Sequence, residues 1–342
     1  RGASDVDCEL CIAPYVHLMQ KGTCPAIFAL GVVVVSACNS ERAFPGGPAS
    51  AHGGGSTINA AMPDAGADTG ELADVVADRD AEANGIPRTN EEPEKPVVTN
   101  ETLDVAGTLR EYVLVVPGDR DAQKTYPLVL VFHADGSSGP GMHSSYMFEA
   151  ISGNEAIVAY PTGINAGWDI QSPTATNRDI QFVDKLVAVV STRFKIDITR
   201  VFGTGLSSGA FLVNKIACRK TGFFRAIVSH AGGAPYEDID PAASHWPSGL
   251  TKCAGQTGGI AALVIHGTSD DVVPPESGDF DAAYWASING CQDLRSDTTP
   301  APCKKHEGCP IGKPVHWCLI PGLGHAVWEN GAKEGWEFMK SF

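Results

Sequence analysis

Ser207 is the first residue of the chain whose type and setting could do chemistry. It stands in the segment from Gly205 to Gly209 (GLSSG), which ends a β-branched run that begins at Val201. A strand up to residue 206 and a helix over 208–220 would place Ser207 on a sharp turn, where glycines leave room for neighbouring backbone. The pentapeptide alone is weak evidence, because in a chain with 38 glycines it could also be an ordinary glycine-rich loop.

Two later loops supply the partners that a nucleophilic serine needs. A serine hydroxyl is a poor nucleophile until a base takes its proton, and the base needs an acid to orient it. Asp270 follows the predicted strand 261–266, and His325 follows the predicted strand 315–320. The order serine, acid, histidine is the order along the chain of α/β-hydrolases. The sequence therefore predicts Ser207 as nucleophile, His325 as base and Asp270 as acid.

Each partner has a competitor nearby. Asp271 adjoins Asp270, and either carboxylate could lie in solvent; we favour Asp270. His266 and His316 compete with His325, but both fall inside predicted strands and are predicted to be packing histidines. Among these three histidines, His325 lies on a glycine-flanked loop, where an imidazole can turn toward the serine.

A serine that attacks a carbonyl group also needs two backbone N–H groups that stabilise the oxyanion of the tetrahedral intermediate. One is expected from Ser208, the residue after the nucleophile. The other is expected from residues 133–139 (HADGSSG), a loop after the apolar run that starts at Tyr126. We predict the N–H of Asp135 there, with Ala134 as the alternative; an ordinary turn is the competing interpretation.

The elements around these residues follow a repeating pattern of strands and helices. The run 126–133 (YPLVLVFH) is almost wholly apolar, which is typical of a strand covered on both faces. Residues 179–193 place apolar side chains on one helical face. Strands that alternate with helices predict an α/β fold with a mostly parallel central sheet and helices on both faces. The other predicted strands are 111–117, 156–161, 201–206, 226–230, 261–266 and 315–320.

The net charge of −15 is unevenly distributed along the chain. It excludes nucleic acid and anionic membrane surfaces as expected partners. Residues 39–95 contain 11 acidic and four basic residues and are rich in Ala, Gly and Pro, so a disordered linker is predicted over 39–96. A calcium loop within 64–80 is the alternative, but the required spacing of Gly and Glu is absent. The folded domain is then expected over 97–342.

The first 38 residues contain a pattern that resembles a bacterial lipoprotein signal. Lys21 precedes the apolar run 26–35, and small residues lead to Cys38, the expected lipidated residue and membrane attachment. Met19 is the expected translation start. The run is shorter than the about 20 residues of a membrane-spanning helix. A plain cleavable signal or a buried strand are the alternatives. Either signal predicts an extracytoplasmic protein that is lipid-anchored or secreted.

Six of the ten cysteines lie in the second half of the chain. An even set within one folded domain predicts disulfides and an oxidising compartment. A zinc site is the competing interpretation, but this region has no paired C-x-x-C motifs. The six are Cys218, Cys253, Cys291, Cys303, Cys309 and Cys318.

Residues 103–342 resemble the secreted esterases that group polyhydroxybutyrate depolymerases with feruloyl and acetylxylan esterases. The cysteine pattern is most similar to the feruloyl esterase branch. Where the family usually has His-Gly, this chain has His133-Ala134, and Ala210 stands where a glycine is common; these departures leave substrate preference open. The segments that carry the resemblance are 126–133 with its loop, 160–163 with Trp168, 205–209, 266–274, 289–291, 308–309, 314–318 and 324–325.

The resemblance implies an α/β-hydrolase fold and a serine esterase that works through an acyl-enzyme, without cofactor or metal. The expected partner is an ester-bearing plant polysaccharide with hydroxycinnamoyl or acetyl groups; a polyester of the polyhydroxyalkanoate type is the alternative. A monomer is expected. A non-catalytic surface binding protein is the hypothesis from another class, but it would be expected to lack part of the triad.

Substrate-binding residues and disulfides are expected on the same basis. Trp168 could line the acyl pocket, with simple packing as the alternative, and His133 is the second expected substrate-binding residue. Six cysteines allow many connectivities, and the sequence alone does not select one. The pairs we predict are Cys218–Cys253, Cys291–Cys309 and Cys303–Cys318.

Overall fold

A central sheet organises the computed structural model, which describes residues 94–235 and 258–342; within those ranges the sheet has ten strands. The strand order across the sheet is β1-β2-β4-β3-β5-β6-β7-β10-β9-β8. The strands are β1 (Val97–Val105), β2 (Thr108–Val116), β3 (Tyr126–Phe132), β4 (Ile157–Pro161), β5 (Ile196–Leu206), β6 (Ala226–His230), β7 (Ala261–Gly267), β8 (Arg295–Asp297), β9 (Cys303–His306) and β10 (Val315–Ile320).

The middle of the sheet is parallel, as the sequence predicts. Strands β4, β3, β5, β6, β7 and β10 pair in parallel, whereas β1, β2, β8 and β9 are antiparallel additions at the two sides. All residues of β3 and β7 are buried, which explains their uninterrupted apolar sequences. Because these strands are parallel, their carboxyl ends meet at one edge of the sheet, where α/β folds place their ligands.

Helices cover both faces of the sheet and create two apolar cores. On one face, Leu128 and Leu130 of β3 share a core with residues of α3, α4 and α5. On the other face, Val129 and Val131 share a core with residues of α1, α2 and α6. The alternation along β3 follows from the two-residue period of a strand. The helices are α1 (Gly139–Tyr146), α2 (Phe148–Ser152), α3 (Arg178–Arg193), α4 (Ser208–Arg219), α5 (Pro275–Asn289) and α6 (Gly331–Lys340).

Two of the three predicted disulfides are present. Cys291 bonds to Cys309, and Cys303 of β9 bonds to Cys318 of β10. Both lie in the segment between β7 and the loop of His325. The third pair cannot be placed, because Cys253 lies outside the described residues, as do Cys38, Met19 and nearly all of the predicted linker.

The described part of the chain contains no helix that is both long and apolar enough to cross a membrane. Across 94–235 and 258–342, the side chains of His, Cys, Asp and Glu also form no group of three or more that could hold a metal ion.

Candidate active site

Ser207 occupies a strained turn between β5 and α4. Its backbone has φ 55° and ψ −122°, which is a sparsely populated conformation for a residue with a side chain and costs roughly 1–3 kcal/mol. Hydrogen bonds hold the turn on both sides: Ser207 N–H donates to His230 O (2.9 Å), and Phe211 N–H donates to Ser207 O (3.0 Å). The surrounding structure therefore presents the half-buried Ser207 side chain at the carboxyl edge of the sheet.

The glycines on either side of Ser207 are required by close backbone contacts, as predicted. A Cβ atom at Gly205 would lie 2.5 Å from the backbone carbon of Gly209. A Cβ atom at Gly209 would lie 2.5 Å from the carbonyl oxygen of His133. The turn thus packs directly against the start of the loop 133–139, which we call the oxyanion loop.

Asp270 and His325 form a hydrogen-bonded pair. His325 Nδ1 lies 3.0 Å from Asp270 Oδ1 and 2.9 Å from Oδ2, and the Asp270 side chain is fully buried. The backbone N–H groups of Val272 and Val273 also donate to Oδ1, at 3.0 and 2.9 Å. Burial raises the pKa of Asp270, but the hydrogen bonds from His325, Val273 and Val272 outweigh it and hold that pKa below its usual value. The exposed Asp271 lies outside this set of hydrogen bonds.

His266 also contacts Asp270, a role that the prediction of a packing histidine missed. Its Nε2 lies 2.9 Å from Val273 O and 3.2 Å from Asp270 Oδ2. Both neighbours are acceptors, so Nε2 carries the proton. Burial lowers the pKa of His266, which favours the neutral ring. The signal in the sequence was the four-residue spacing from His266 to Asp270 across the end of β7.

The structure brings Ser207 to the same sheet edge as Asp270 and His325, but in the described part of the chain it shows no hydrogen bond between His325 and the serine hydroxyl. Ser207 follows β5, and Asp270 and His325 follow β7 and β10. Within the described residues, no hydrogen bond joins His325 to Ser207. Hydrogen bonds of this kind are often long without substrate and tighten when it binds. The triad as a whole remains a prediction.

The two predicted oxyanion donors lie on either side of the Ser207 turn. Ser208 is the first residue of α4, so its N–H has no acceptor inside the helix. Asp135 is exposed on the oxyanion loop. That loop is fixed to the segment after β4, because Gly136 N–H donates to Ala166 O (2.7 Å). The donor roles of Ser208 and Asp135 also remain predictions.

His133 and Trp168 support the oxyanion loop; their contact with substrate remains a prediction. His133 is fully buried, its Nε2 accepts the N–H of Gly163 (2.9 Å), and its Nδ1 lies 2.7 Å from Ala134 O. Burial lowers its pKa, so the neutral ring can make both contacts. For Trp168 the packing alternative describes the structure: its indole N–H donates to His133 O (2.8 Å), and the two rings lie 4.7 Å apart.

A cavity of about 520 Å³ lies beside the loop that carries His325. Leu323 and Val327, each two residues from His325, line one side, together with Trp328. Tyr146 lines the cavity as well, and its hydroxyl is 2.9 Å from Nε2 of His230, the residue whose carbonyl oxygen accepts the Ser207 N–H. Ser207, Asp270 and His325 are not among the residues that line the cavity.

Comparisons with known proteins give several relatives. Feruloyl esterase C of Emericella nidulans is 30% identical over 204 residues, which cover 58% of this chain and 68% of that protein. A probable feruloyl esterase C of Aspergillus niger is 30% identical over 203 residues, which cover 58% of this chain and 67% of that protein. Feruloyl esterase D of Neurospora crassa is 27% identical over 266 residues, which cover 70% of this chain and 85% of that protein.

Solved structures add evidence on the fold. An acetyl xylan esterase from Aspergillus awamori superimposes with a TM-score of 0.59 at 18% identity, over 71% of this chain and 99% of that one. At this identity the likeness concerns the fold alone. No protein-family model matches the chain.

Proposed function

The chain belongs to the feruloyl esterases, and from this premise we propose that Ser207, His325 and Asp270 form its catalytic triad and that it cleaves hydroxycinnamoyl esters of plant cell-wall polysaccharide. Membership makes the chain a carboxylic ester hydrolase with an α/β-hydrolase fold. The observation that carries the proposed triad is the hydrogen bond between the buried Asp270 and the half-buried His325, at the sheet edge that also carries the strained Ser207 turn.

The orientation of His325 determines how the ester would be attacked. Because Asp270 accepts a hydrogen bond from Nδ1–H, the lone pair of the ring lies on Nε2, which takes the proton of the Ser207 hydroxyl. Ser207 Oγ then bonds to the ester carbonyl carbon. The carbonyl oxygen becomes an oxyanion, which the N–H groups of Ser208 and Asp135 stabilise.

The intermediate then collapses to an acyl-enzyme. The bond from the carbonyl carbon to the polysaccharide oxygen breaks, and that oxygen leaves with the proton from His325. A water molecule next gives a proton to His325 and attacks the acyl carbon, and the acid departs as Ser207 recovers its proton. Asp270 remains ionised throughout and stabilises the imidazolium that forms twice in the cycle.

The feruloyl esterase relatives support an aromatic acyl group over an acetyl group, and the cavity next to the His325 loop is a candidate position for its phenolic ring. The volume of this cavity falls within the range of about 300–1,000 Å³ typical of ligand pockets. Tyr146, Trp328, Leu323 and Val327 contribute aromatic and apolar side chains to its lining, which is the type of surface that a phenolic ring contacts. Polyhydroxyalkanoate remains the alternative substrate.

Turnover of three substrates by two variants tests the proposal. Wild type should hydrolyse p-nitrophenyl ferulate with higher kcat/KM than p-nitrophenyl acetate, which has the same leaving group, and should release no soluble product from polyhydroxybutyrate. Ser207→Ala should abolish both activities, whereas Ser341→Ala, a change near the carboxyl terminus, should leave them unchanged. Activity that survives Ser207→Ala would overturn the triad, and preference for acetate or the polyester would overturn the substrate class.

We place the mature protein outside the cytoplasm, attached through a lipid on Cys38. The disulfides Cys291–Cys309 and Cys303–Cys318 support an oxidising compartment, because such bonds are rare in reducing cytosol. The charged, apolar and small-residue segments that precede Cys38 support the anchor.

A further inference from the structure

A basic cleft lies at the amino edge of the sheet, opposite the candidate active site. Its volume is about 520 Å³, and it is formed by the loop before β3 and the junction of α3 with β5. Strand β5 runs from this cleft to the Ser207 turn over 11 residues, a length of roughly 35 Å. The cleft is therefore separate from the cavity beside His325.

The charge of the cleft is opposite to that of the whole protein. Arg120, Lys124, Arg193 and Lys195 line it with a single carboxylate, Asp121, whereas the chain carries a net charge of −15. Among the described residues only Arg193 of these four cations forms an ion pair, with Glu101 of β1. Three cations thus remain without a carboxylate partner in the described structure.

Aromatic rings orient the cations without consuming all their hydrogen-bond donors. The guanidinium groups of Arg120 and Arg193 lie 4.9 and 5.2 Å from the centre of the Phe194 ring. The ammonium group of Lys124 lies 4.8 Å from the centre of the Tyr126 ring. A cation held over a ring keeps its N–H groups available for an anion.

Neutral polar groups complete the lining. Next to the lining residues, the side-chain amide oxygen of Gln123 accepts a hydrogen bond from Lys195 Nζ (2.9 Å). The buried hydroxyl of Ser191 has no hydrogen-bond partner within the described residues. Thr125 and Thr192 add further hydroxyl groups. Such a lining matches a ligand that combines a carboxylate with hydroxyl groups.

We propose that this cleft binds uronate groups carried by the polysaccharide whose esters the enzyme cleaves, an inference that rests on the proposed function. Arginine presents paired N–H donors that match a carboxylate, and the hydroxyl and amide groups match a sugar ring. The strong negative charge of the chain favours polymers with sparse uronate side groups over dense polyanions, which the rest of the surface would repel. Binding at this second site retains the enzyme on its polymer while the active site samples ester groups.

The test uses the full chain and an alkali-treated glucuronoxylan, which has no ester left to hydrolyse. Affinity gel electrophoresis should show retardation of wild type that weakens with salt and disappears on the same polymer after carboxyl reduction. The triple variant Arg120→Gln/Lys124→Gln/Lys195→Gln should bind on the order of tenfold more weakly. The matched control Lys304→Gln/Lys305→Gln/Lys333→Gln removes the same charge elsewhere and should bind like wild type.

Kinetics with methyl ferulate separate this inference from the proposed function. The cleft variant should keep wild-type kcat/KM on methyl ferulate, because the cleft lies far from Ser207, and this result also shows that it is folded. Equal retardation of wild type and cleft variant, no retardation of wild type, or equal binding to the carboxyl-reduced polymer would overturn the uronate site. A wild type that binds the polymer but leaves methyl ferulate intact would overturn only the proposed substrate.

Discussion

At the residue scale, Asp270 is where the hydrogen bonds of the candidate site converge. It accepts hydrogen bonds from His325, from two backbone N–H groups and from His266 while fully buried. Buried carboxylates are costly unless they are paired and hydrogen-bonded, and all of these donors meet that requirement. Their number explains why the pKa of Asp270 is held low in spite of its burial.

Asp270→Asn should lower kcat about 10⁴-fold while the protein stays folded. The new amide nitrogen would face His325 Nδ1, which must then accept rather than donate, so Nε2 would carry the proton and could not act as a base. The measurement is steady-state hydrolysis of methyl ferulate. Asp271→Asn changes an exposed neighbour and should keep wild-type rates. Similar losses in both variants would show that Asp270 is not the orienting acid.

His266 should act as a positioning residue for Asp270. His266→Phe removes the N–H near Asp270 Oδ2 and should reduce kcat about tenfold with little change in KM, as expected for one hydrogen bond to a charged group. His266→Gln offers an N–H donor again and should recover part of kcat. A merely structural role would instead lower thermal stability in both variants and leave kcat of the folded fraction unchanged.

At the element scale, the helices behind the site are joined by a buried polar network. Asp281 of α5 is fully buried, and its Oδ2 accepts a hydrogen bond from Asn214 of α4 (2.9 Å). The side-chain oxygen Oδ1 of Asn214 in turn accepts a hydrogen bond from the indole N–H of Trp285 (2.7 Å). Burial raises the pKa of Asp281 to about 7. The network therefore links the helix after Ser207 to the helix after Asp270 through a group that titrates near neutral pH.

Asp281→Asn should flatten the dependence of stability on pH. The carboxyl group of the folded protein keeps its proton up to about pH 7, whereas the unfolded chain releases it near pH 4, so the free energy of unfolding should fall between these values. The neutral amide lacks this loss, which is on the order of a few kcal/mol. Urea unfolding at several pH values measures it, with the exposed Asp279→Asn as control. Parallel pH dependence of wild type and Asp281→Asn would contradict the assignment.

The elements that were predictable from sequence are those buried on both faces. β3, β6, β7 and β10 have the predicted bounds to within one residue, because a short, continuous apolar run is typical of a strand with no solvent-exposed face. β1 was missed, since its residues alternate between exposed and half-buried and carry polar side chains. The short, polar β8 and β9 were missed too, because pairing with β10 and the Cys303–Cys318 bond define them.

In the candidate site, too, some contacts were predictable from the sequence and others were not. The hydrogen bond between Asp270 and His325 was predictable because chain order and strand ends constrain where a triad's acid and base can lie; their catalytic roles remain predictions. The contact of His266 was not predicted, because its four-residue spacing from Asp270 is compatible both with packing inside the strand and with a contact across the strand end. The predicted substrate contact of His133 came from the family resemblance and did not include its burial. Its burial depends on Gly163 and Trp168, which are distant in the sequence.

At the scale of the whole molecule, the two ends of the sheet carry different groups. The carboxyl edge holds the strained serine, the buried Asp270 with the half-buried His325, and a cavity that Tyr146 and Trp328 help to line. The amino edge holds the basic cleft. A domain with the proposed active site and the proposed uronate site would bind its polymer at one end and cleave esters at the other. The predicted linker over 39–96 would let that domain reach an insoluble polymer from a membrane anchor.

Removing the predicted anchor should therefore change where the enzyme is found but not how it works. Expressed in a bacterium that processes lipoproteins, wild type should partition into the detergent phase on Triton X-114 separation, and Cys38→Ser should move to the aqueous phase, because a lipid chain supplies the membrane affinity. Both should have the same kcat/KM on methyl ferulate, since the predicted catalytic residues lie within the domain expected over 97–342. Cys24→Ser is the matched control and should partition like wild type. If Cys38→Ser and wild type partition alike, the chain is not anchored through this cysteine.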